Sequence, residues 1–122
     1  MTEGLDEYQK EALRTASLNA DGEVSAGGIT RPEMRVLWAL GLCGEAGEFA
    51  ESIKKEVYAG HEPDRQKQAL ELVDPLWYLA TAAASIGYNL SQIANMNVEK
   101  LRKRYPAGFS GERSRNREES LS

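Results

Sequence analysis

The stretch that decides the fold is Val36-Leu37-Trp38-Ala39-Leu40-Gly41-Leu42-Cys43-Gly44-Glu45-Ala46-Gly47-Glu48. From Val36 to Cys43, eight residues pass without a charged or strongly polar side chain. That predicts a helix apolar all round and buried. Two carboxylates follow at once, three residues apart, so Glu45 and Glu48 share a helix face. At 100° per residue, Trp38, Gly41, Glu45, Glu48, Ser52 and Lys55 fall in a sector of about 100°. The acidic pair therefore continues the face that carries Trp38. Each glycine inside a helix costs roughly 0.8–1.0 kcal/mol relative to alanine. Gly41, Gly44 and Gly47 together predict the close approach of another helix or of a ligand.

Outward from this helix the chain reads as helical throughout. Thr30-Arg31-Pro32 is a start signal for it, and it runs to about Tyr58. Before it, Leu5 to about Ala20 predicts a first helix with an imperfect apolar stripe of Leu5, Tyr8, Leu13 and Ala16. The Asp21–Gly28 segment reads as a loop. After the break at Gly60–Asp64, a third helix is expected from about Asp64 to Ile86, with Gly87 as its C-cap glycine. Its core stripe would be Leu72, Leu76, Leu79, Ala83 and Ile86, widened by Val73, Trp77, Ala80 and Ala84. Asn89 and Gln92 have capping-box spacing for a fourth helix, which ends near Tyr105-Pro106. The expectation is an all-α four-helix bundle over residues 1–106, followed by a polar, basic, flexible tail over 107–122.

The third helix carries a second acidic pair, Glu71 and Asp74, again three residues apart. Two such faces turned together make a cage of four carboxylates, which repel unless a cation joins them. Four oxygen donors without histidine suit a hard cation, Mg2+ or Mn2+. Tyr78, four residues after Asp74, lies on the same edge, where its hydroxyl can reach toward a ligand. On the fourth helix Asn97, Lys100 and Arg104 fall within a sector of about 60°, an arrangement suited to phosphate oxygens.

The 122 residues suffice for one domain, and the net charge of −4 gives no case for a nucleic-acid polymer as partner. The C-terminal region is nonetheless basic: from Glu99 to Ser122, seven lysines and arginines stand against four glutamates. Cys43 is the single cysteine. It excludes an intrachain disulfide and reads as a small core residue. The N-terminus lacks the pattern of a signal peptide and no apolar run reaches the length of a membrane span, so a cytoplasmic protein without membrane contact is expected. The sole histidine, His61, lies in a loop, which excludes the Glu-x-x-His pairs of a di-iron bundle.

These blocks, in this order, resemble the MazG-like all-α nucleoside triphosphate pyrophosphohydrolases. The resemblance runs through Gly41-Leu42-Cys43-Gly44-Glu45-Ala46-Gly47-Glu48, Ile53-Lys54-Lys55, Glu71-Leu72-Val73-Asp74 and Leu76-Trp77-Tyr78-Leu79. It closes on Asn97-x-x-Lys100-Leu101-x-x-Arg104-Tyr105-Pro106, with Tyr8-Gln9 and Gly108-Phe109-Ser110 at the two ends. It implies a Mg2+-dependent enzyme that splits a nucleoside triphosphate into monophosphate and pyrophosphate and works as a homodimer or homotetramer. By motif position Glu45, Glu48, Glu71 and Asp74 would be both metal ligands and catalytic groups. Lys55, Tyr78, Asn97, Lys100 and Arg104 would be substrate-binding residues.

Three positions depart from the family pattern. Val73 stands where a small residue is usual, Gly44 where some members have a glutamate, and Pro75 where a helix-compatible residue is usual. Proline in a helix interior costs about 3 kcal/mol. Here it removes the N–H that would bond the Glu71 carbonyl, and it disfavours helical geometry at Asp74. A kink beside two expected ligands follows, and with it an alternative function: a weakly active or non-catalytic helical module that binds nucleotide or a partner. Trp38 and Trp77 read as core residues before they read as base-stacking ones.

Overall fold

Residues 4–16 and 32–108 are described in the computed structural model of the chain. The regular elements among them are all helices: α1 (Leu5–Leu13), α2 (Pro32–Tyr58), α3 (Arg65–Leu70), α4 (Val73–Ser85) and α5 (Leu90–Arg104). The 21–28 loop, the Thr30-Arg31 start signal, residues 17–20 of the expected first helix and the chain beyond Gly108 lie outside the described residues.

Five helices stand where four were expected, because the third divides at Glu71–Leu72. The division settles the conflict that Pro75 creates. The Glu71 N–H donates to the carbonyls of Lys67 and Gln68, both at 3.1 Å, and the Leu72 N–H to Ala69 at 3.0 Å. The helix tightens into a 3₁₀-like turn and then restarts. Pro75 is now the third residue of α4. N–H groups in a first turn have no intrahelical partner, so the missing one costs little. Leu76 resumes the ladder by donating to Leu72 at 3.2 Å.

The other helix boundaries follow local chemistry. Asp64 caps α3 by accepting from the Lys67 N–H at 3.1 Å. Gly87 sits just past α4 with φ +86°, a left-handed conformation that suits glycine. Asn89 and Gln92 form the expected capping box at the start of α5. At the end of α1, the Trp77 indole N–H reaches the Ala12 carbonyl at 3.1 Å and the Thr15 hydroxyl at 2.9 Å. A tertiary contact thus serves a carbonyl in the last turn of α1, which ends at Leu13.

The core lies around α4. Ala12, Ala80, Ala83 and Leu90 form one buried cluster, with Tyr8, Trp77 and Ile93 packed against it. Trp38 forms a second, with Leu13, Ala16, Met34, Trp77 and Tyr78. Both tryptophans are therefore packing residues. The imperfection in the α1 stripe proves to be its anchor: Gln9 is buried. Its amide donates to the carbonyls of Ala80 (3.0 Å) and Tyr88 (3.2 Å) and accepts from the Leu90 N–H (3.1 Å). Leu5, named in that stripe, is exposed.

Three burial expectations need correction. Of the run from Val36 to Cys43, Trp38 is buried, while Val36, Leu37 and Leu40 are 57%, 56% and 66% exposed. Cys43 is exposed too, and is not a core residue. On α4, Leu72, Leu76, Leu79 and Ile86 face outward, and the buried face is Ala80, Thr81, Ala83, Ala84 and Ser85. The cause is common to both helices. Each is apolar on more than one face, and within one chain only the small-residue face of α4 is covered. Periodicity cannot say which apolar face goes inward when there are two.

Candidate functional site

The face of α2 that carries Trp38, Gly41 and Glu45 is the one turned to α4. Trp38 packs on Trp77 and Tyr78. The Tyr78 ring lies directly over Gly41, where a Cβ would collide with it. The same ring meets Trp77 edge-on, with centroids 4.9 Å apart. Gly41 is therefore required by a neighbouring side chain, as the sequence suggested. Gly44 and Gly47 have nothing within 4 Å of a built Cβ and face open space.

One turn further, the two acidic pairs come within electrostatic reach of each other. Glu45 is half-buried, and its carboxyl is held above the ordinary glutamate value, first by desolvation and then by the charges of Asp74, Glu48 and Glu71. Asp74 also acts on α1: the Tyr8 phenol is raised by burial and then by that carboxylate. Tyr8, which the sequence placed in the α1 stripe and in the family resemblance, is thus a neighbour of the acidic group. Among the described residues, however, no three histidine, cysteine, aspartate or glutamate side chains stand close enough together to hold a metal ion as they are. The carboxylates share a field without converging on a point.

Beyond them, between α2 and α3, lies a cavity of about 180 Å³. Glu48, Ser52 and Lys55 line it from α2, and Glu71 and Gln68 from the opposite side. Lys55 therefore shares the cavity with one member of each acidic pair, Glu48 and Glu71. At the far end of the cavity, Glu56 accepts from both Arg65 guanidinium nitrogens (2.7 and 3.1 Å) and from the Gln68 amide (2.8 Å). These bonds hold the Glu56 carboxyl below its usual range.

The expected phosphate-contacting group sits apart. α5 packs on the core through Leu90 and Ile93, near its start. Asn97 and Lys100 lie in the exposed run 95–103, with Arg104 half-buried just beyond. No hydrogen bond or ion pair joins Asn97 or Lys100 to the carboxylates, and the charges acting on Glu45 are other carboxylates. Within one chain Asn97 and Lys100 are not joined to the acidic pairs.

Among the described residues the regular elements are five helices, and the protein is of the all-α class. The MazG nucleotide pyrophosphohydrolase domain matches residues 37–109. A relative of similar length, the Gene 37 protein of Mycobacterium phage L5, is 32% identical over 109 residues, covering 85% of this chain and 90% of its own. No solved structure matches the chain. The chain belongs to the MazG nucleotide pyrophosphohydrolase family. That membership implies a hydrolase acting on nucleotides, in a family whose members are generally dependent on a divalent metal. No helix among the described residues is long and apolar enough to cross a membrane.

Proposed function

We propose that the protein is a Mg2+-dependent nucleoside triphosphate pyrophosphohydrolase that cleaves between the α and β phosphates. The observation that carries this reading is the state of Glu45, a half-buried carboxyl in the combined field of Glu48, Glu71 and Asp74. The donors fit the ion. All four offer carboxylate oxygen, the donor that Mg2+ and Mn2+ prefer, and like charges held together are stabilised by a cation. Glu45, Glu48, Glu71 and Asp74 would hold it, and when bound it supplies charge neutralisation and activation of water for in-line attack. A water oxygen then bonds to the α phosphorus as the bond to the β-phosphate oxygen breaks, releasing monophosphate and pyrophosphate. Lys55, on the cavity wall next to Glu48, meets the departing phosphates. Tyr78 keeps α2 and α4 in register from its place over Gly41.

The reading includes a second copy of the chain. Leu37 and Leu40 on α2, and Leu76 and Leu79 on α4, are exposed apolar residues of the kind that a homodimer or homotetramer would cover. Gly44 and Gly47 leave α2 open to the close approach of another helix. Assembly would also bring Asn97 and Lys100 of one copy toward the carboxylates of another.

The test is to incubate the protein with a panel of nucleoside triphosphates and Mg2+ and to measure pyrophosphate. Glu48→Ala is expected to lose more than the roughly 10–100-fold that mutating an outer-shell metal partner costs. No release above that control, with any nucleotide, would favour the alternative of a nucleotide- or partner-binding module.

A further inference from the structure

The break before α4 changes what holds Glu71 in place. In an unbroken helix, Glu71 and Asp74 would be one rigid unit. Here Asp74 belongs to α4, while Glu71 is the C-cap residue of α3, a helix of six residues. So short a helix has little stability of its own. Its hold on the molecule is the cluster at its start. Arg65 forms a two-pronged pair with Glu56, and Gln68 bonds both partners, donating to Glu56 at 2.8 Å and accepting from Arg65 at 2.7 Å. Gln68 is buried (7% exposed), while the Arg65 side chain that completes the cluster is 70% exposed.

The register ties this cluster to the acidic group. Glu48, Ser52 and Glu56 follow one another at intervals of four and occupy a sector of about 80° on α2. Gln68 and Glu71, three apart, share a face across the turn. All five line the same cavity. Glu56 and Gln68 of the cluster thus share the cavity lining with Glu48 and Glu71.

We infer that Glu56, Arg65 and Gln68 form a positioning clamp that holds Glu71 opposite Glu48, replacing the helix continuity that Pro75 removes. The clamp touches no substrate. It acts through Glu71, and its bearing on metal binding rests on the four-carboxylate reading proposed above.

The test is a double-mutant cycle between Arg65 and Pro75, with two readouts. The first is metal-free amide hydrogen exchange at Glu71 and Leu72, compared with Leu90. In the parent background Arg65→Ala is expected to speed exchange at Glu71 and Leu72 but not at Leu90. In the Pro75→Ala background, where α3 and α4 can join, that acceleration is suppressed. The second is Mn2+ affinity, from the free-ion paramagnetic resonance signal. Arg65→Ala is expected to weaken it by about 10-fold or more in the parent, as for loss of an outer-shell partner. The loss in the Pro75→Ala background is expected to be much smaller. Glu56→Gln repeats the test while keeping an acceptor for Gln68. Unchanged exchange at Glu71, or equal effects in both backgrounds, overturns the clamp, since a merely structural pair would act additively with a distant site. A parent that binds no Mn2+ overturns the cage instead, and exchange at Glu71 still decides the clamp.

Discussion

The two ends of α4 are held by different means. Around Ser85 the helix is buried on its neighbours, in a region stitched by side-chain hydrogen bonds. Gln9 spans α1, α4 and the start of α5, and Asp6 accepts from the Ser91 N–H (2.9 Å) and hydroxyl (2.7 Å). Around Asp74 the helix begins beside unneutralised carboxylates, an open cavity and a broken turn held by one ion-pair cluster. The first end is satisfied, and that is what a stable scaffold needs. The second leaves charge close together beside a cavity, the arrangement on which the proposed metal site rests. Sites are commonly placed in this way, on the less stable part of a fold with a rigid part behind it.

The contrast can be broken from the scaffold side first. Gln9→Leu keeps the side-chain bulk but strips partners from the Ala80 and Tyr88 carbonyls and the Leu90 N–H. Unsatisfied buried groups cost about 1–3 kcal/mol each, so with three of them a loss of roughly 3 kcal/mol or more is expected by urea unfolding. Metal affinity should stay close to the parent's if the two ends are separate.

A smaller effect separates two glycines of α2. Gly41→Ala drives a methyl into the Tyr78 ring and is expected to cost about 1–3 kcal/mol. Gly44→Ala meets nothing within the chain. It should stabilise the monomer by roughly 0.8–1.0 kcal/mol from helix propensity, yet weaken self-association, measured by light scattering, if α2 faces a second copy.

The smallest effect is on the acid limb of stability. Asp6 titrates below its ordinary value of 3.8 because the Ser91 hydroxyl and N–H favour the carboxylate. A lowered folded pKa adds stability above the unfolded value, and that stability is lost as pH falls through the folded one. Asp6→Asn should therefore flatten the stability profile between about pH 4 and its acid end, leaving the neutral metal response intact.

How much of this was legible depended on how local the signal was. The Asn89–Gln92 box and Gly87 act through their own backbone neighbours, so the sequence locates those boundaries. The pairing of Glu45 and Glu48 with Glu71 and Asp74 was legible because helical spacing fixes faces, although their failure to converge was not. The break at Glu71–Leu72 was half-legible: Pro75 predicted trouble, but a kink and a restart look alike until the backbone is seen. Gln9 was illegible, because three partners 71 to 81 residues away make it a core residue. The outward turn of Leu37, Leu40, Leu76 and Leu79 was illegible for the reason given above: two apolar faces on one helix leave its inner side undecided.

The central claim, that four carboxylates wait on a divalent cation, is tested most directly by thermal unfolding of the parent and Glu45→Gln against Mg2+ concentration. Without Mg2+, Glu45→Gln is expected to unfold at the higher temperature, because one of four repelling charges is gone. With Mg2+ the parent is expected to gain about 2.7 kcal/mol at a hundredfold excess over Kd, while Glu45→Gln gains much less. A parent indifferent to Mg2+, or a variant that gains as much as the parent, would contradict the claim.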